Sequence, residues 1–355
     1  MTFMTEQQAP PKSIGIGLLS GGLDSMLAIL TMLRQGIQVS AIRFITPFDP
    51  DASDDHTSHG IRYQSLSHTY GFEIIMRHLG HKMLDIVTKP KHGYGRNMNP
   101  CIDCRILMLK EAKQVMDMIG ADFLVTGEVL GQRPMSQRKD MLYHIDKEAG
   151  VIDTVLRPLS AKLLRTTIAE QKGIIDREML YALSGRSRKP QIALAGEFGM
   201  KDYPSPGGGC LLTEPNYAFR LKDLLAHDQN PAIRDIDLLR IGRHFRYSSR
   251  CKIIVGRDKA ENALIESMAA DNDYLLRVEG YESPMTLVTG EVPDESLRVA
   301  AAICSRYSDV KNVREVAVKI FQRGKTSILS VTPAGDEILD ATRIGKRRTR
   351  EQATV

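Results

Sequence analysis

The chain has 355 residues, 42% of them hydrophobic and 26% charged, enough for two or three domains with a sizeable core. Its net charge of +5 permits nucleic acid without requiring it, and no apolar run approaches the roughly 18 residues of a membrane span. The polar start Met1 to Lys12 shows no secretory signal, and five cysteines, an odd number, argue against a secreted disulfide scaffold, so a cytoplasmic enzyme with no membrane partner is expected.

The first apolar run, Ile14 to Leu19, reads as a strand, and Met26 to Leu33 as a helix. Between them lies Ser20-Gly21-Gly22-Leu23-Asp24-Ser25. Paired glycines turn the backbone sharply and can aim several N–H groups at one anion, to which a helix N-terminus adds positive charge. Ser20 and Ser25 can donate to the same oxygens, while Asp24 would repel a bare phosphate and so implies Mg²⁺. The competing reading is an ordinary Ser/Gly turn before a helix. Two other phosphate loops fit less well: Gly15-Ile16-Gly17 lacks the third glycine of the dinucleotide fingerprint, and Gly324-Lys325-Thr326 has Lys319 where a P-loop needs glycine.

Further strands are expected at Gln38 to Phe44, Phe72 to Leu79 and Phe123 to Thr126, with a helix over Arg105 to Met118 and a loop over Asp51 to His59. This alternation implies an α/β fold with a parallel sheet, whose ligands bind at the carboxyl ends of the strands, where Ser20–Ser25 falls. Val155 to Arg188 is read as largely helical and basic. Lys201 to Cys210, with two prolines and three glycines, breaks regular structure, and Asn216 to Leu225 is read as a helix. From Asp237 the chain is strand-rich, with strands at Lys252 to Val255 and Ser327 to Val331 and a helix at Lys259 to Ala270. The expected domains are 1–165, a helical and loop extension 166–235 carrying Cys210, a second domain 236–345, and a tail 346–355.

Pro100-Cys101-Ile102-Asp103-Cys104 opens a helix with two thiols on one face, where the helix N-terminus favours thiolate. Such a pair suits a redox dithiol, half of a zinc site that His92 could complete, or a cluster ligand set. Cys210 follows a flexible loop that could bring a third thiol to the pair. Three thiolates with one open position suit a [4Fe-4S] cluster; a rival is a Cys104–Cys210 pair that carries a persulfide and then closes as a disulfide, and a third reading is three structural thiols. Cys251 and Cys304 read as core. Further on, Arg240, Arg243, His244, Arg246, Arg250, Lys252, Arg257 and Lys259 gather with Phe245 and Tyr247 interleaved. Cations can neutralise phosphates and aromatics can stack on unpaired bases; the alternative is a solvated charged surface.

The S-G-G-x-D-S loop after a first strand resembles the signature of the PP-loop ATP pyrophosphatases. Thr126-Gly127-Glu128-Val129-Leu130-Gly131-Gln132 with Ser136-Gln137 resembles a stretch of the 4-thiouridine synthases, with one extra residue before Ser136. Leu156-Arg157-Pro158-Leu159 with Lys162 resembles their next motif. Asn99-Pro100 with Cys104 is similar to the N-P-x-x-x-C element of the tRNA 2-thiouridine synthases, whose cysteine is catalytic. The C-x-x-C with a distant cysteine is similar to iron–sulfur-dependent tRNA thiolases. These cover about residues 13 to 220. Lys252 to Asn262 resembles an NFACT-R RNA-binding module.

The resemblance implies a PP-loop (adenine nucleotide alpha-hydrolase-like) domain, a smaller C-terminal α+β domain, and ATP-dependent thiolation of tRNA. It implies ATP contacts from Ser20, Gly21, Gly22, Asp24 and Ser25, with adenine near Arg43 and Phe44 and close approach of the nucleotide at Gly127. Asp24 with Mg²⁺, Cys104 and Cys210 would be catalytic, and Cys101, Cys104 and Cys210 the cluster ligands. Arg157, Lys162, Arg243, Arg246, Lys252 and Arg257 would meet RNA. The partners would be tRNA and a sulfur donor, either free sulfide or a cysteine desulfurase or persulfide carrier. Almost no chain precedes the loop, so the N-terminal THUMP module of 4-thiouridine synthases is expected to be replaced by the C-terminal one. A PP-loop ligase or amidotransferase acting on a small molecule, and an RNA-binding factor with a vestigial loop, are the other classes.

Overall fold

The structure is a computed structural model describing residues 13–50, 56–200, 203, 210–310 and 313–345. The starting segment Met1 to Lys12, part of the expected loop after Pro50, most of Lys201 to Gly209 and the tail 346–355 lie outside the described residues. The chain divides into two compact units, Met1–Cys210 and Leu211–Val355.

The first unit alternates strands and helices: β1 (Ile14–Leu18), α1 (Leu23–Arg34), β2 (Gln38–Ile45), α2 (His56–Tyr70), β3 (Glu73–His78), α3 (Gly80–Thr88), α4 (Cys101–Ile119), β4 (Phe123–Thr126), α5 (Lys139–Ala149) and β5 (Val155–Leu156). The strands form one parallel sheet in the order β3-β2-β1-β4-β5. The central strands are buried on both faces, as a sheet covered by crossover helices requires. Leu27, Ile29, Val39, Phe123 and Val125 lie in one core, to which α2 adds Tyr63, Leu66 and Tyr70 at helical spacing. That spacing is why α2 begins inside the stretch expected to be loop.

Val155 to Arg188 corrects the sequence reading. Apart from β5, its one α-helix is α6 (Ile168–Gln171), closed by a capping box between Thr167 and Glu170. The rest bonds to itself: Tyr181 N–H donates to Pro158 C=O (2.9 Å), Leu183 N–H to Leu159 C=O (2.7 Å) and Lys162 N–H to Tyr181 C=O (3.1 Å). Proline at 158 and glycine at 173 deny it a longer helix. The unit's last helix is α7 (Lys189–Glu197), with proline in its first turn.

The second unit runs α8 (Pro215–His227), α9 (Ile233–Leu238), β6 (Arg243–Ser248), β7 (Cys251–Val255), α10 (Lys259–Met268), β8 (Tyr274–Val278), β9 (Thr286–Gly290), α11 (Asp294–Arg306), β10 (Val316–Gln322), β11 (Lys325–Val331) and α12 (Asp336–Thr342). Its six strands form an antiparallel sheet, β11-β10-β8-β9-β7-β6. Cys251 and Cys304 are both in its core, as expected. Gly324-Lys325-Thr326 belongs to the β10–β11 hairpin. Arg323 and Gly324 occupy its two-residue turn with φ of 48° and 73°, the mirror-image geometry that tight hairpins need. Among the described residues no helix is long and apolar enough to cross a membrane.

Candidate active site

The strand order reverses between β1 and β4, and open parallel sheets receive ligands at that crevice. The loops leaving both strands meet there. Ser20–Ser25 leaves β1, and Gly21 takes φ +77°, a conformation that costs a side chain dearly. The α1 N-terminus has Gly22 at its cap with no side-chain bond, leaving its first N–H groups to face an anion.

The loop's hydroxyls hold one another. Ser20 Oγ donates to Ser25 Oγ (3.0 Å), Ser20 N–H donates to the same oxygen (3.2 Å), and Ser25 Oγ donates to Gly22 C=O (2.8 Å). Ser25 is buried and its proton committed, so it shapes the loop. Ser20 is exposed and can turn toward a ligand. Asp24 is the uncommitted group. Its Oδ2 accepts from Gln132 Nε2 at 3.0 Å, and its Oδ1 is enclosed with no partner among the described residues. A buried carboxylate oxygen without a donor costs about 1–3 kcal/mol unless a cation answers it, so Asp24 fits the Mg²⁺ that the loop implies.

Gly127, just after β4, lies against the loop itself. A Cβ there would lie 2.4 Å from the Asp24 carbonyl carbon and the Ser25 nitrogen. What approaches Gly127 closely is the backbone of the Asp24 loop; the glycine seats that loop against β4. The next residue is an anchor. Glu128 accepts from Arg157 Nε (2.9 Å) and Thr126 Oγ1 (3.1 Å), and Arg157 forks onto Asp146 at 2.7 and 2.8 Å. All three ionic side chains are buried. Burial alone would raise the Glu128 pKa, but Arg157 and Arg105 hold it below the usual carboxylate range; at Asp146 burial prevails and raises it. Arg157 therefore ties β5 to β4 and α5. It is enclosed and paired, which does not fit the expected role on RNA.

The adenine-side residues are also committed. Phe44 is core, and Arg43 pairs with Asp49 and lies over the Tyr63 ring at 5.6 Å. Lys162 is one-third exposed and bonds Glu178 at 3.0 Å.

Pro100 caps α4, which starts at Cys101, so the two thiols stand in its first turn as the spacing predicts. Their ionisation is the reverse of the expectation. Burial pushes the Cys104 thiol up to about 11 and raises Cys101, outweighing Arg105 and Arg133 beside them. Both are partly exposed, as is Cys210. Cys101 and Cys104 fit as two ligands of a cluster: one helical turn presents both, and the arginines offset added negative charge. Among the described residues the three thiols do not form a group close enough to share a single metal ion.

Several expected RNA contacts in the second unit are occupied or hidden. Phe245 is fully buried and His244 nearly so, which removes the former as a stacking platform. Lys252 is buried in β7, and desolvation lowers its pKa from 10.5 to about 7. Arg246 pairs with Asp223, and Arg257, half exposed, with Glu261. Arg243 lies over the Tyr307 ring at 4.6 Å. Arg250, one of the cations gathered in that stretch, is far more open; its side chain is 70% exposed and pairs with the equally open Glu291. Sequence reasoning gave no role to Gln132, whose position inside the T-G-E-x-L-G-Q stretch was the available signal.

Residues 12–173 match the family described as thiamine biosynthesis protein (ThiI), and residues 242–342 match the NFACT protein RNA binding domain. Over 163 residues the chain is 34% identical to a "Probable tRNA sulfurtransferase" of Lysinibacillus sphaericus, covering 45% of this chain and 38% of that one. It is 24% identical over 341 residues to the tRNA-specific 2-thiouridylase MnmA of Marinobacter nauticus, covering 87% of this chain and 83% of that one. Among solved structures it is similar to the U34-tRNA thiolase NcsA from Methanococcus maripaludis with its [4Fe-4S] cluster, at 16% identity and TM-score 0.29, covering 64% of this chain and 70% of that one. The chain spans well under half the length of the first sulfurtransferases it matches. The resemblance to PP-loop tRNA sulfurtransferases is thus borne out over residues 12–173, and that to an NFACT RNA-binding module over residues 242–342.

Proposed function

We propose that this chain is an ATP-dependent tRNA sulfurtransferase that thiolates a uridine. The uridine carbonyl oxygen attacks the α-phosphorus of ATP, the bond to the bridging oxygen breaks, and pyrophosphate leaves. Sulfide or a persulfide sulfur then attacks the adenylated carbon, and AMP departs with the original oxygen. The step needs activation because a carbonyl oxygen is a poor leaving group.

The observation that carries this reading is Asp24: its Oδ1 lies enclosed and unpartnered at the switch point while Gln132 fixes its other oxygen. Asp24 would hold Mg²⁺ against the phosphates, which the free N–H groups of the α1 N-terminus and Ser20 would receive. Cys101, Cys104 and Cys210 would hold a [4Fe-4S] cluster, which when bound supplies an iron with an open position for sulfide. In the rival scheme Cys210 carries a persulfide and Cys104 frees the product, leaving a disulfide that a thiol reductant must reopen. The second unit would grip tRNA in the manner of the module it matches.

Asp24→Ala tests the loop. The variant should keep its circular dichroism and lose both pyrophosphate release and thionucleoside formation on tRNA; retained turnover overturns the reading. Turnover without RNA would instead favour a small-molecule ligase or amidotransferase. Anaerobic purification separates the sulfur schemes. A brown protein with about four irons, lost on changing any of the three cysteines to alanine, supports the cluster, whereas a colourless and fully active one supports the persulfide.

A further inference from the structure

His92, in the segment between α3 and α4, meets two residues of α5, His144 and Glu148. One ligand atom from each lies within 4.8 Å of the others. His144 and Glu148 are four apart and so share one face of the helix. The two histidine Nε2 atoms are 3.1 Å apart and their rings are set edge to face.

The tautomer of His92 is fixed from behind. Its Nδ1 is 2.8 Å from Asp103 Oδ1, and its backbone N–H donates to Asp103 Oδ2 at 3.0 Å. The carboxylate therefore accepts a hydrogen bond from Nδ1–H, which leaves the Nε2 lone pair facing His144. A carboxylate behind a histidine in this way is the usual support of a metal-ligating imidazole. Two nitrogens bound to one tetrahedral zinc at about 2.0–2.1 Å stand about 3.3 Å apart, close to the spacing already present.

We propose that His92 Nε2, His144 Nε2 and a Glu148 carboxylate oxygen bind a zinc-class divalent ion, with a fourth position left for water. The ion replaces the proton that one imidazole must otherwise donate to the other. Glu148 pairs with Lys91 at 2.6 Å, and Lys91 is largely exposed, so its ammonium swings into solvent as the carboxylate turns to the metal. The site clips the segment before α4 to α5, and through Asp103 it holds the turn that carries Cys101 and Cys104. It does not depend on the sulfur-transfer reading, since none of the three ligands belongs to that chemistry.

The test uses the full chain, stripped with chelator, and titrates zinc by calorimetry in parallel with the Cys101→Ser/Cys104→Ser variant. One equivalent should bind both proteins. The absorption edge of zinc in the doubly substituted protein should show nitrogen and oxygen neighbours at about 2.0–2.1 Å and no sulfur at about 2.3 Å. His144→Ala should weaken binding about 100-fold, and Glu148→Gln, which keeps a weaker oxygen donor, about 10-fold. No binding at micromolar zinc, loss of binding on removal of the cysteines, or unchanged affinity in a folded Glu148→Gln variant would each overturn the proposal and leave a histidine–histidine hydrogen bond.

Discussion

The Ser20–Ser25 crevice and the basic strands of the second unit were both read as places where the chain meets phosphate, yet they are built in opposite ways. In the crevice a charged oxygen is left enclosed and unanswered: Gln132 satisfies one side of Asp24 and nothing satisfies the other. In the second unit the paired cations already have acids, Arg246 with Asp223, Arg250 with Glu291 and Arg257 with Glu261. A phosphate at any of these three must displace an existing partner. On the proposed reading the first site is preorganised for a ligand, whereas the second exchanges one ion pair for another. Orphaned charge therefore locates a site more sharply than abundance of charge does.

The sharpest way to break the comparison is at the arginine that is hidden rather than waiting. Arg157→Ala should destabilise the first unit by about 3–5 kcal/mol, because Glu128 and Asp146 would stay buried without their cation. Urea unfolding followed by circular dichroism measures it. Arg157→Lys should recover little, since a point charge cannot fork between two carboxylates. A variant of wild-type stability that had lost only RNA affinity would return Arg157 to the surface role first expected of it.

That misplacement shows what the sequence does and does not carry. The strand–loop–helix order around Ser20–Ser25 was legible because backbone demands at Gly21 and the apolar runs of β1 and α1 are local. The short strand β4 and the start of α4 at Cys101 were legible for the same reason. What Arg157, Lys252 and Phe245 touch is decided by partners far along the chain, and residue type alone does not reveal whether a cation is solvated or walled in. Gly127 is the intermediate case. The residue was singled out for a close approach, and in this structure its close neighbour is Asp24's own backbone. Thiolate at Cys104 was expected from the helix N-terminus, but burial raises the thiol pKa by more than Arg105 and Arg133 lower it.

Gln132→Ala acts on the crevice without touching its charge. Releasing Asp24 Oδ2 should lower activity by about 10–100-fold, as loss of a supporting bond behind a metal ligand does. The loss should appear as a raised requirement for Mg²⁺ in the pyrophosphate-release assay, with stability little changed. An unaltered Mg²⁺ dependence would detach Gln132 from the site.

Lys252 tests the claim that part of the basic run is core. Its folded pKa, about 7, lies below the ordinary 10.5, so the unfolded chain holds more protons between those values. Wild-type stability should then rise with pH from about 7 to 10.5, and the penalty of the buried charge should be complete below 7. Lys252→Met should stabilise the protein by about 1–2 kcal/mol at pH 6, with the gain fading as pH rises. The difference between the two pH profiles isolates this one group. A gain that is flat with pH, or a destabilised variant at pH 6, would put the ammonium in water.

Arg250 supplies the smallest effect and the cleanest contrast. Its pair with Glu291 is largely open to solvent, so Arg250→Ala should change stability by no more than about 0.5 kcal/mol. If tRNA phosphate replaces Glu291 in the complex, the slope of log affinity against log salt should become shallower by about one unit, and equally so for unrelated tRNA sequences. Glu291→Gln should act in the other direction, tightening binding by removing the competitor that the phosphate must displace. Lys252→Met, by contrast, should leave the salt slope alone while shifting stability. A slope that responds to Lys252 and not to Arg250 would reverse the assignment of core and surface along this hairpin.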